Sequence, residues 1–175
     1  MYKTLVIASI MLSSFSANAT PENDNLTTQE NDNSPYFSFG IGIGYNYAGL
    51  GFNVALVSET DFKYIALGCS SVTSYSRDCD SFGVGWIKSD IFDFGNNKHG
   101  LGLFLYSESD NVLVKKDAAN SRYRSNRIYE YGVQYTYYMN EINNAGFNFG
   151  VHLGDSYSKH RDEGYSLGLQ VGYQF

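Results

Sequence analysis

The stretch Tyr165–Phe175 reads YSLGLQVGYQF, and its pattern decides the fold. A large apolar or aromatic side chain stands at every second position, while Ser, Gly and Gln occupy the positions between them. Successive side chains of a β-strand point to opposite faces, so this period of two predicts a strand with one apolar face. A helix would instead need apolar spacings of three and four residues.

The same alternation recurs upstream and predicts seven more strands. In the segment 62–70 the facing is ambiguous, because Ile65 and Leu67 compete with Phe62 and Tyr64 for the apolar face. The other segments are 37–45 (with Tyr45 on the apolar face), 50–56, 82–86, 101–105, 129–137 and 147–153. The region 36–175 is therefore predicted to be all-β, with eight strands.

The residues between the large side chains decide where this sheet lies. In a soluble sandwich the polar face is usually rich in Lys, Glu and Thr, whereas here it is mostly Gly, Ser, Asn and Gln. Such residues suit a narrow lumen crowded by opposing strands, and the large apolar face would then contact lipid. No stretch after the first 19 residues is apolar for long enough to predict a transmembrane helix. We therefore predict an eight-stranded antiparallel up-and-down transmembrane β-barrel.

The first 19 residues, MYKTLVIASIMLSSFSANA, predict an export signal. Lys3 supplies a positive start, Leu5–Met11 form a short apolar core, and Ala17 and Ala19 are the small residues that a signal peptidase accepts. We expect cleavage before Thr20, after which the chain enters an oxidising envelope compartment. The expected localisation is the bacterial outer membrane.

Residues 20–35, TPENDNLTTQENDNSP, predict a disordered acidic linker. The segment holds four acids and one aliphatic residue, so it buries too little apolar surface to offset chain entropy. The whole sequence has 12 Lys and Arg against 18 Asp and Glu, a formal net charge of −6. This acidity argues against a nucleic-acid partner, which usually selects a basic surface.

The lengths of the connections fit a barrel whose N-terminus lies in the periplasm. Segments 58–61 and 140–144 are short, as periplasmic turns are, whereas 71–80, 107–126 and 155–164 are predicted as longer, polar outer loops. The first connection, 46–49, is expected to be a tight outer loop. Segment 88–99 is long for a periplasmic turn and fits this scheme least well.

The signal peptide, the eight alternating strands and the final Tyr-Gln-Phe resemble small eight-stranded outer-membrane proteins, the OmpA transmembrane domain and OmpX type. The resemblance is architectural and covers residues 36–175. It implies that a final aromatic with alternating apolar residues before it is the signal read by the barrel assembly machinery. The residues that match this signal are Leu169, Val171, Tyr173 and Phe175.

Two cysteines, Cys69 and Cys79, flank the second predicted outer loop. They lie at the ends of adjacent strands, where Cα atoms come within bonding range, so a disulfide is expected in an oxidising compartment. A bridge over so short a loop stabilises by roughly 2–3 kcal/mol. The alternative is two unpaired or intermolecular thiols. Two thiolates without a nearby His are too few for zinc, so no metal site is predicted.

The third predicted outer loop is basic in an otherwise acidic protein. Five bases stand in the loop or directly after it, against three acids, Glu108, Asp110 and Asp117. Because Arg binds phosphate oxygens bidentately, contact with lipopolysaccharide phosphates is one hypothesis, and an anionic host polymer or a merely solvated loop are the others. The five candidate residues are Lys115, Lys116, Arg122, Arg124 and Arg127.

Polar residues predicted inside the lumen are Glu130, Gln134 and His152. We expect His152 to make a structural hydrogen bond, with Glu130 as a candidate partner. Eight strands enclose little more than their own side chains, so the lumen is expected to be plugged and to exclude transport beyond small ions or water.

Enzymatic signals are weak. The fourth predicted loop groups residue types of a hydrolytic triad, namely Asp155, Ser156, Ser158, His160, Asp162 and Glu163. A palmitoyl-transferring outer-membrane enzyme carries such residues on its outer loops. Lipid A deacylases use a His-x-Ser pair, but here Ser156 is displaced by two positions from the spacing that His152 would require. The sequence also lacks GxSxG, HExxH and a phosphate-binding Gly loop.

The expected function is therefore non-enzymatic, without a cofactor: a monomeric barrel with a structural or surface-interaction role. Its expected partners are outer-membrane lipid, lipopolysaccharide and, during biogenesis, the barrel assembly machinery. The alternatives are a lipid A-modifying acyl enzyme and a soluble lipocalin-like periplasmic barrel that binds an apolar ligand.

Overall fold

A computed structural model describes residues 34–72, 77–91, 95–117, 120–158 and 161–175. Side chains are described in these ranges except at 71–72, 77–78, 110–117, 120–126 and 161–163. The predicted signal peptide lies outside the described residues, and so does the predicted linker apart from Ser34 and Pro35.

Ten strands and one short 3-10 turn, Tyr45–Tyr47, make up the regular structure of the described residues. The strands are β1 (Tyr36–Gly44), β2 (Gly49–Val57), β3 (Asp61–Cys69), β4 (Ser71–Val72), β5 (Arg77–Asp78), β6 (Ser81–Lys88), β7 (His99–Asp117), β8 (Asn120–Tyr138), β9 (Gly146–Ser158) and β10 (Arg161–Gln174). No helix in the described ranges is long and apolar enough to cross a membrane.

Eight of these strands close into a barrel in the order β1-β10-β9-β8-β7-β6-β3-β2. Each barrel strand pairs antiparallel with its neighbours, so the predicted all-β, eight-stranded, up-and-down architecture is confirmed. β4 and β5 form a separate two-stranded ladder after β3, and the sequence pattern did not reveal it.

The two faces of the wall follow the alternation. Large apolar side chains such as Leu103 and Leu153 are exposed on the outer surface, whereas Asn53 and Thr136 are buried inside. The ambiguous strand β3 turns Ile65 and Leu67 outward and buries Phe62, Tyr64 and Ala66. The side-chain pattern of β3 left its facing open. Its register with β2 and β6 decides which side chains point outward.

Two predicted loops are wrong in extent. Segment 107–126 is mostly strand, because β7 continues to Asp117 and β8 begins at Asn120. Segment 155–164 is likewise shortened, since β9 reaches Ser158 and β10 begins at Arg161. The apolar alternation stops well before the strands do, because backbone pairing continues where neither face has to be apolar.

The chain termini of the barrel lie at the end that carries the short turns. The Tyr36 hydroxyl donates to the Asn143 carbonyl, and the Phe175 N–H donates to the Phe39 carbonyl at 2.8 Å. The long connection between β6 and β7 also lies here. Its Ser89 N–H donates to the Thr60 carbonyl at 2.9 Å, so this connection is bonded to the neighbouring turn.

Candidate functional site

The connection between β1 and β2 turns into the lumen instead of projecting outward. Gly44 and Ala48 flank the 3-10 turn with positive φ values of 116° and 53°. Within the turn, Asn46 and Tyr47 are buried, and Tyr45 contacts rings inside the barrel. Placing Tyr45 on the outward apolar face was therefore wrong, because the strand ends one residue earlier.

Tyr47 occupies the centre of this inward turn. Its hydroxyl accepts a hydrogen bond from Asn148 Nδ2 at 2.7 Å, across the lumen on β9. Two glycines provide the space that its ring needs: a Cβ at Gly172 would overlap the ring, and a Cβ at Gly42 would lie 2.6 Å from Tyr47 Cε2. Tyr47 thus fills the lumen between β1, β9 and β10.

Tyr45 extends the plug through three ring contacts. Its ring centroid lies 4.8 Å from that of Phe104, 4.6 Å from that of Tyr106 and 3.9 Å from that of His152. We call Tyr45 and Tyr47 the aromatic plug. The sequence signal that could have revealed it is a pair of tyrosines directly after β1, together with the inward glycines Gly42 on β1 and Gly172 on β10, which leave room for rings.

The predicted lumen residues Gln134 and His152 lie inside the barrel, and Glu130 is half-buried. Gln134 Nε2 donates to the Tyr64 hydroxyl at 3.1 Å. His152 contacts aromatic rings, and its Nδ1 is buried without a hydrogen-bond partner among the described residues. The register sets His152 opposite Gln134 and Glu130 opposite Ser156, so the structure does not bring the expected pair together as cross-strand neighbours.

The short-turn end of the lumen is closed by apolar side chains. Phe62, Ile87, Tyr138 and Ile142 are buried there, and the rings of Phe62 and Tyr138 lie 5.9 Å apart. Farther along the lumen, Gln170 Nε2 donates to Thr136 Oγ1 at 2.8 Å. Side chains therefore fill the lumen at the short-turn end, at its middle and at the aromatic plug.

The predicted disulfide between Cys69 and Cys79 is confirmed. It links the end of β3 to the residues just before β6 and encloses the β4–β5 ladder. Beside it, Arg127 of β8 forms an ion pair with Asp80 at 3.5 Å, both side chains being about half exposed. One of the five predicted anion contacts, Arg127, therefore already pairs with a carboxylate of the protein itself.

The other four basic residues lie on the β7–β8 hairpin. The register pairs Lys115 with Arg122 and Val112 with Arg124, and Lys116 with Ser121. The backbone therefore gathers these bases near one hairpin tip, while their side chains lie outside the described part of the chain.

The predicted assembly signal covers the last part of the alternation in β10 and Phe175 directly after the strand. Leu169 and Val171 face outward, Tyr173 is half-buried against Phe147, and Phe175 is exposed. The Ser38 hydroxyl donates to the Phe175 carbonyl at 2.6 Å, which ties the end of the strand to β1.

The candidate triad residues are not assembled in the described part of the chain. The Ser156 hydroxyl donates to the Gly164 carbonyl at 2.9 Å, and His160 and the side chain of Asp162 lie outside the described residues. Among the described residues, no group of three or more His, Cys, Asp or Glu side chains is arranged to hold a metal ion.

Comparison with protein-family models, with curated proteins and with solved structures finds no match to this chain. The fold and the residues above are therefore the basis for assigning a function.

Proposed function

We propose that this protein is a non-enzymatic outer-membrane β-barrel with a structural or surface-interaction role. The observation that carries the proposal is the exposed apolar belt around the barrel. Exposed large apolar side chains occur on the outer face of every barrel strand, among them Ile41, Phe52, Ile65, Trp86, Leu103, Val133, Leu153 and Leu167.

Such a belt is costly in water and favourable in a bilayer. Monomeric soluble proteins rarely expose contiguous apolar patches larger than a few hundred Å². A membrane barrel has this apolar-out, polar-in arrangement, and closure leaves its backbone groups paired within the sheet. In a lipocalin-like barrel the ligand cavity would instead be lined by the large apolar face.

The filled lumen supports a structural role over transport. The aromatic plug, the Tyr64–Gln134 pair and the Gln170–Thr136 pair occupy successive levels of the interior. We expect planar-bilayer recordings to show no stable, large conductance. We further propose that the protein is a monomer assembled by the barrel assembly machinery.

The surface partner that we propose is lipopolysaccharide, contacted through the basic tip of the β7–β8 hairpin. Lys115, Lys116, Arg122 and Arg124 come together there at the end opposite the chain termini. In an outer membrane with a periplasmic N-terminus, that end faces the phosphates of the outer leaflet.

The test of the membrane proposal is fractionation followed by a gel that compares boiled with unboiled samples. We expect recovery with the outer membrane and a heat-dependent change in mobility, because a folded barrel resists detergent at room temperature. Recovery in the soluble periplasm without a mobility change would overturn the proposal and turn the search to apolar ligands of a soluble barrel.

A further inference from the structure

Between β1 and β10 the barrel is closed by a short ladder only. β1 pairs with β10 at four positions, Gly40–Ile43 opposite Val171–Gln174, and then leaves the wall at Gly44 to form the aromatic plug. β10 extends up to Arg161, and among the described strands it pairs there with β9 alone. We call the free edge of β10 from Tyr165 to Leu169 the open seam.

The exposed fraction of the outward side chains of β10 rises where β1 leaves the wall. On the outward face of β10, Val171 is 41 % exposed, whereas Leu169, Leu167 and Tyr165 are 76 %, 79 % and 92 % exposed. Val171 has Ile43 beside it, and in the described part of the chain no strand pairs on that side with the three residues above it. These apolar side chains therefore lie along the edge of β10 that β1 does not pair with.

The main-chain groups of the open seam point toward the missing neighbour. The Phe175 N–H donates to the Phe39 carbonyl, and main-chain groups two residues apart in a strand point the same way. The N–H and C=O groups of Leu169, Leu167 and Tyr165 therefore face the side that β1 has left. An unpaired edge at the level of the hydrocarbon core costs several kcal/mol per group.

An apolar groove begins at the same place. Its volume is about 550 Å³, and it crosses the outer wall from the seam to β8. Its apolar lining includes Ile43, Leu169 and Val171 at the seam, Phe149 and Val151 on β9, and Tyr135 on β8.

We infer that the open seam and this groove together bind a membrane lipid whose acyl chain is amide-linked. The chain lies in the groove, and the carbonyl of the amide beside it accepts one hydrogen bond from the free N–H of Leu167 or Leu169. A plain hydrocarbon tail fills the groove but leaves the edge unpaired, so the edge selects a lipid with a hydrogen-bonding group next to its chain. The inference rests on the proposed membrane location.

The test is amide hydrogen exchange on the full folded chain in detergent micelles, followed by NMR. The probes are N-tetradecanoylglucosamine, which carries the amide, and tetradecyl glucoside, which carries an ether in its place. We expect the amide probe to slow exchange at one of the two N–H groups, Leu167 or Leu169, by about tenfold relative to the ether probe, as one net hydrogen bond implies. Equal exchange rates with the two probes would overturn the inference.

A matched pair of variants separates the groove from the general lipid surface. Val151→Trp fills the groove, whereas Val54→Trp changes an equally exposed valine on β2, outside it (44 % against 45 % exposed). We expect protection by the amide probe to vanish in V151W and to persist in V54W. Persistence in a folded V151W also overturns the inference, and Ile43→Trp replaces that variant if it does not refold.

The two proposals fail in different ways. A soluble, detergent-independent protein in fractionation would reject the membrane location itself. If the protein is a heat-modifiable outer-membrane protein but the amide probe does not change the exchange rates of the seam amides, only the lipid site is rejected.

Discussion

At the scale of single residues, the lumen is built from rings set against glycines. Tyr47 fits against Gly172, Tyr64 against Gly85, and the His152 ring lies where a Cβ at Gly168 would stand. In each pair, a side chain of any size at the glycine would overlap the ring. These three glycines therefore provide space for aromatic rings inside the barrel.

This complementarity predicts the cost of adding one methyl group. Gly172→Ala places a Cβ inside the ring of Tyr47, and overpacking of a filled core costs about 1–3 kcal/mol. The measurement is the free energy of unfolding in urea of the protein refolded in detergent micelles. Gly164→Ala, also on β10, is the control, because a Cβ there meets nothing within 4 Å and should change stability by at most about 0.5 kcal/mol.

Equal costs at the two glycines would contradict this account of the lumen. Truncation of the ring provides a further check. The cost of G172A should shrink in a Tyr47→Ala background, because the overlapping atoms are then gone.

The alternation in the sequence predicted which side chains face outward at most strand positions, and this prediction was wrong for Tyr45. Period-two alternation assigns a face only while the chain stays extended, and the strand ends at Gly44. Nothing in the local pattern marks the turn inward, since a tyrosine is equally common at a lipid-facing strand end. The inward course depends on space provided by Gly172, which lies far away in sequence.

At the scale of elements, β10 has two distinct halves. Its lower half pairs on both sides and carries Val171 and Tyr173 of the proposed assembly signal, while its upper half, which includes Leu169, pairs among the described strands with β9 alone. The strand length was predicted well because its alternation continues through both halves. The unpaired upper edge was not predictable, because side-chain periodicity carries no information on which strand is missing.

Phe175 tests the assembly signal separately from stability. We expect Phe175→Ser to reduce the amount of folded barrel in outer membranes several-fold, because the machinery would no longer meet a final aromatic. The same variant should refold in detergent, since its main-chain bond to Phe39 does not need the ring. The readout is the heat-modifiable band in membranes and after refolding.

Phe147→Ser is the matched control, because Phe147 is another exposed aromatic and lies opposite Tyr173. A similar loss of membrane-inserted barrel in both variants would mean that Phe175 acts through packing alone. A normal level of F175S barrel in membranes would remove the signal from the proposal.

At the scale of the whole molecule, charge is unevenly distributed over an acidic chain. The basic tip of the β7–β8 hairpin gathers four cations at the end opposite the chain termini. The register that brings Lys115 and Arg122 together was not predicted, because the segment was expected to be a loop. The charge excess itself was evident from the sequence.

Replacing Lys115, Lys116, Arg122 and Arg124 by Gln should weaken binding to lipopolysaccharide about tenfold at low salt, if each exposed contact contributes a few tenths of a kcal/mol. The difference should diminish as salt is raised, because exposed charges are screened. Titration of refolded protein with lipopolysaccharide measures this. The control replaces Lys63 and Lys98, and a comparable loss in both variants would reject the hairpin as the contact.

The four residue pairs between β1 and β10 that close the barrel also influence its folding pathway. Every other junction of the barrel joins strands that follow one another closely, apart from the short β4–β5 excursion, so those hairpins form from local encounters. The β1–β10 junction instead brings together segments separated by nearly the whole barrel, which makes it the entropically slowest step. Because only four residue pairs hold it, the β1–β10 junction is also the first to open. The lifetime of the closed barrel is therefore set at this junction and not at the long, well-paired hairpins.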